Sequence, residues 1–128
     1  MPSPELAGYL LLALLGALAL FQLALALGAP LGRYAMGGMI EGAYPTPMRI
    51  AALAQIAIYA LIGAITFSRL GWAFPGFAQQ GRIAMWIVVG LFALGTLMNA
   101  ISRSAGERAI WTPVALVMAL ASLRIALA

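Results

Sequence analysis

Four long apolar runs alternate with three polar interruptions along the chain. The first run, residues 5–28, is broken only by Gln22 after its opening Glu5. A helix needs about 20 residues to cross a hydrocarbon layer of roughly 30 Å, and this run is long enough. Ser3, Pro4 and Glu5 have the order of a helix start: a cap, a proline at the first position, and an acid facing the positive end of the helix. A cleaved signal peptide is the rival reading. The run lacks a basic leader and is too long for one, although the small residues 24–26 (ALA) favour cleavage.

The second run opens at TPMRI, where Thr46 is expected to cap and Pro47 to take the first helical position. The third follows FPGFAQQGR. The fourth has two possible starts. A helix from Thr112–Pro113 would have only about 16 residues and would barely span. Ser104 and Glu107 form S-x-x-E, a capping box in which the Ser hydroxyl takes one amide and the Glu reaches back to another. A start at Ser104 gives adequate length and leaves Pro113 inside the helix, which membrane helices tolerate. The predicted spans are therefore about 4–28, 47–69, 82–102 and 104–127. They form one all-α transmembrane domain, residues 1–128, a four-helix bundle with antiparallel neighbours and short turns. The first connection is longer and Gly-rich, with Tyr34 and Tyr44, and lies along the interface or dips into the protein. Trp72, Phe74, Phe77 and Trp111 stand near span ends, where an aromatic belt is expected.

Composition agrees with a bilayer. Hydrophobic residues make up 65% of the 128 and charged ones 8%, against roughly 45–50% and 25% in soluble domains. With no Cys and no His, thiol chemistry and the commonest metal ligand and general base are absent, and three acids do not readily build a hard-metal cage. No cofactor is expected. The net charge of +4 comes from Arg residues placed singly near span ends, as expected of contacts with lipid phosphate and not with nucleic acid. Arg69, Arg82 and Arg124 fall on the side of the termini, and Arg33, Arg49, Arg103 and Arg108 on the other. Four against three favours termini outside, with the first and third connections cytoplasmic.

The candidate polar cluster is Gln22, Gln55, Asn99, Arg103, Ser104, Glu107 and Arg108. Asn99 and Arg103 share a helical face, as do Arg103 and Glu107 if the helix continues. One reading is a polar pocket at the membrane boundary for an anionic headgroup or small ligand. The other is a helical hairpin in which Asn99 bonds across helices, Ser104 and Glu107 cap, and Arg103 and Arg108 reach the headgroups. Gln22 and Gln55 line a solute path or join helices. Asn99 is expected to face the bundle, with Gln22 its preferred partner. Small residues recur at four-residue spacing (Ala13 and Ala17, Ala24 and Gly28, Ala60 and Ala64, Ala115 and Ala119) and permit close packing.

The blocks GAPLGRYAMGG and LMNAISRSAGERAIWTPVAL resemble a family of small four-helix bacterial membrane proteins of unknown function. Gly28, Pro30, Gly32, Gly37, Gly38, Asn99, Ser102, Arg103, Ser104, Glu107, Arg108 and Pro113 match its pattern. The resemblance implies four spans in a bacterial inner membrane and no activity. The leading expectation is a non-enzymatic protein that binds a partner helix, a lipid or an apolar small molecule within the bilayer. A small oligomeric channel or transporter is the alternative. A lipid-acting enzyme using Glu107, Arg103 and Asn99 ranks third. Expected partners are membrane lipids and either further copies or a larger membrane complex.

Overall fold

The computed structural model describes residues 2–35 and 38–128. The first connection's Gly37, matched to the family pattern, lies outside them. Four helices form: α1 (Pro4–Ala26), α2 (Thr46–Arg69), α3 (Ala78–Ala100) and α4 (Ala105–Ala126). Each is long and apolar enough to cross a membrane, and no strand occurs among the described residues. The helices pack in the cyclic order α1–α2–α3–α4, with every neighbour antiparallel. The α2–α4 diagonal touches little. Large apolar side chains such as Leu20, Leu61, Ile87 and Leu94 cover the outside, as a bilayer solvent requires.

Sequence features explain the helix ends. Ser3 Oγ accepts the amide of Leu6 at 3.1 Å, the expected cap of α1. α1 and α2 end alike. The amides of Gly28 and Ala29 reach back to the carbonyls of Leu25 and Ala24, and those of Gly71 and Trp72 to the carbonyls of Ser68 and Phe67. Both glycines have positive φ, 99° and 76°, the left-handed conformation that closes this double-bonded helix end. α4 starts at Ser104, as its spacing from Glu107 predicts. Ser104 Oγ accepts the amide of Glu107 at 3.2 Å, and Pro113 lies inside the helix.

Three local expectations are corrected. Thr46 does not cap α2: Pro45 holds the cap position, its carbonyl accepts the amides of Met48 and Arg49, and no side chain contributes. α3 begins at Ala78 and not at Arg82, because a single 3₁₀ turn, Pro75–Phe77, feeds straight into it and its exposed glutamines favour helix. Only one pair of small residues lies in the core, Ala115 and Ala119 on α4. Ala13 and Ala17 face outward, so their spacing reflects alanine content and not a contact.

The larger core cluster lies toward the terminal half of the bundle and includes the fully buried Leu11, Met85, Val88, Met118 and Ile125. There α2 and α3 converge: Ser68 Oγ donates to the Phe77 carbonyl at 3.1 Å, and a Cβ on Gly81 would come within 2.8 Å of Ser68 Oγ. Arg124 Nε donates to the Pro2 carbonyl at 2.8 Å, and Arg69 donates to the carbonyl of Ala128, so both chain ends meet at one end of the bundle. The hydroxyls of Thr66, Thr96 and Ser122 inside the spans are satisfied within their own helices, while Thr112 Oγ1 is buried without a hydrogen-bond partner among the described residues. Thr66 and Thr96 donate to the carbonyls of Ile62 and Phe92, four residues back, which suits an apolar solvent.

Candidate functional site

At the opposite end of the bundle the helices stand apart. A cavity of about 640 Å³ lies between the second half of α1, the first two-thirds of α2, the second half of α3 and the first half of α4. Its floor is apolar, with Ile62, Phe92 and Met118. Gln22, Gln55, Asn99 and Glu107 all line it, one from each helix. Four residues that the sequence scatters over 85 positions, 107 against 22, are thus gathered around one space.

The other three predicted site residues belong to the turn. Ser104 caps α4 and donates to the carbonyl of Arg33. Arg103 is exposed, and so is Arg108, which donates to the carbonyl of Ser102. Both arginines are exposed, as the hairpin reading expects of them.

Several contacts differ from expectation. Asn99 faces the cavity, but its amide donates to the Gly95 carbonyl of its own helix at 2.8 Å and not across to Gln22. Among the described residues neither Gln22 nor Gln55 hydrogen-bonds another protein group, because a space and not a packed seam separates the helices there. The Ser104 amide donates to Ser102 Oγ at 3.1 Å, so Glu107 does not complete the capping box. Its side chain is 7% exposed and borders the cavity.

The sequence reading missed the aromatic roof. Tyr34, Ala35 and Tyr44 of the first connection line the cavity, so this segment covers it. Trp111, expected in a lipid-facing belt, packs inward: its ring lies 4.8 Å from that of Phe21, and its Nε1 donates to the Tyr34 carbonyl at 2.7 Å. The Tyr34 ring rests on Gly106, where a Cβ would come within 2.6 Å of it, and the Arg33 guanidinium lies over it at 4.8 Å. Gly32 lets the connection fold on itself, since a Cβ there would come within 2.2 Å of the Ile40 carbonyl oxygen. Tyr44 is buried with Leu25 and Ala52, and its carbonyl accepts Arg49 Nε at 2.8 Å. Burial, and then the negative charge of Glu107, push its phenol above the usual tyrosine range. The available signal was the connection itself, longer than a turn requires and carrying two tyrosines.

The cavity offers amides, phenols, one carboxylate and a large apolar wall, in a chain without Cys or His. No protein-family model, curated protein or solved structure matches the chain.

Proposed function

We propose that this is a multi-pass protein of a bacterial inner membrane that binds a lipid or an apolar small molecule between its helices, without catalysing a reaction. The supporting observation is the cavity. Its volume of about 640 Å³ falls within the range of roughly 300–1,000 Å³ typical of small-molecule sites, and its few polar groups stand on a mostly apolar wall, as such sites do. Ile58 of α2 and Leu91 of α3 border the cavity and are also exposed, so a ligand has a route in from the lipid between these two helices. The arginine distribution supports outside termini, and on that reading the cavity lies in the cytoplasmic leaflet. Asn99 and Glu107 belong to the block that resembles the small bacterial family, and the same binding role is proposed for that resemblance.

Gly95 provides the test. It lines the cavity, and a Cβ added there meets nothing within 4 Å, so the side chain of Gly95→Phe starts out into open space and takes up cavity volume. Native mass spectrometry of the protein extracted with its lipids should show a bound species on the wild type that Gly95→Phe lacks. Identical spectra for the two would rule the cavity out as the binding site.

A further inference from the structure

We propose that the ligand is a neutral lipid of the acylglycerol class, its hydroxyl and ester groups hydrogen-bonded by Gln22 and Gln55 and its chain leaving between α2 and α3. This rests on the cavity being a binding site and adds the chemical class of what it holds.

Two amides on the cavity wall are unused by the protein. Gln22 of α1 and Gln55 of α2 stand in apolar runs of spanning length, and neither hydrogen-bonds another protein group among the described residues. A primary amide in apolar surroundings costs free energy unless both its carbonyl and its NH₂ are bonded. Each therefore calls for a partner that carries donors and acceptors together. Asn99 is half used: its NH₂ donates to the Gly95 carbonyl, and its oxygen accepts from no protein group among the described residues.

Charge selects against other headgroups. No arginine lines the cavity, so an anionic head would meet no guanidinium there. Glu107, the one charged residue on the wall, is already engaged within the protein and is not a free counter-ion for a cation. A molecule without polar atoms would leave the amides of Gln22 and Gln55 unbonded. A neutral head with hydroxyls and an ester carbonyl supplies what they lack.

Depth matches the order of groups in such a lipid. Gln22 lies four residues from the end of α1, about 6 Å in at roughly 1.5 Å per residue, and Gln55 lies nine residues into α2, about 14 Å in. Hydroxyls come first in an acylglycerol, then the ester, then the chain. Leu91, nine residues from the end of α3, is at the level of Gln55, and Ile58 is one turn deeper. Both border the cavity and are exposed, so a chain starting beside Gln55 passes directly into the bilayer.

Four probes sharing one tail separate the possibilities: monolauroylglycerol, dodecane, dodecyl sulfate and dodecyltrimethylammonium. Each would be measured by equilibrium binding to the protein in lipid nanodiscs, with empty nanodiscs as background and affinity expressed as mole fraction in the bilayer. The wild type should bind monolauroylglycerol at least about tenfold more tightly than any of the other three. Gln22→Leu and Gln55→Leu should each weaken that binding about fivefold, and the double variant should bring it within about twofold of dodecane. After delipidation both variants should melt no lower than the wild type, because the amides hold no helix. Equal binding of monolauroylglycerol and dodecane, preference for either charged probe, unchanged affinity in the double variant, or a lowered melting temperature in the variants would overturn the assignment to a neutral acylglycerol while leaving a binding cavity in place. Saturable binding of none of the four would overturn both proposals.

Discussion

Tyr44 shows how single side chains report on this site. Its phenol is raised above the ordinary value of 10.0 by burial and by the charge of Glu107, so the folded state disfavours the phenolate. A group whose folded pKa is raised leaves stability intact below its unfolded value and lowers it as pH climbs above. Thermal stability in detergent should therefore hold up to about pH 10 and fall beyond it, and Tyr44→Phe should lessen the fall. Melting curves at several alkaline pH values would check this, a parallel decline in both proteins being the contrary result. Ser104 is a second such residue. Its hydroxyl both caps α4 and donates to the Arg33 carbonyl, so Ser104→Ala should cost about 1 kcal/mol or somewhat more in chemical unfolding.

Among the elements, α4 has the most buried apolar face. Ala119 sits in the core against its neighbours, while Ala13 on α1 faces outward with the same spacing to a partner alanine. Overfilling a packed seam costs roughly 1–3 kcal/mol, whereas an outward substitution is nearly neutral. Ala119→Leu should accordingly destabilise the bundle in denaturant and Ala13→Leu should not. The helices themselves were legible in the sequence, since run length and the Ser104–Glu107 spacing rest on local physics. The start of α3 and the true cap of α2 were not: at α3 a 3₁₀ turn held by Ser68 of α2 runs straight into the helix, and at α2 the Pro45 backbone does what a side chain was expected to do. Nor could four-residue spacing separate Ala115–Ala119 from Ala13–Ala17, since which face of a helix is buried depends on its partners.

At the scale of the molecule, the ends of the chain lie together, joined by the Arg124–Pro2 hydrogen bond. Reporters fused at the two termini should give the same location, and opposite locations would contradict the bundle. The polar residues of the site were visible as intruders in apolar runs, but their gathering around one space was not. Each of Gln22, Gln55 and Asn99 reads in sequence as a hydrogen-bonding link between helices. The difference is that α2 and α3 converge at Ser68 and Gly81 and stand apart at the other end, which no local pattern encodes.

The roof of the cavity is made by residues that leave the ribosome long before the residues that hold it down. The Arg33 carbonyl waits for Ser104, 71 positions later, and the Tyr34 carbonyl for Trp111, 77 positions later. Throughout synthesis of α2 and α3 this segment has no anchor on α4, and the compartment stays open toward the membrane surface. A nascent chain arrested after Ala100 should therefore be cut by trypsin at Arg33 from the exposed side, and the released full-length protein should resist. Completion of the last helix would be the event that closes the compartment.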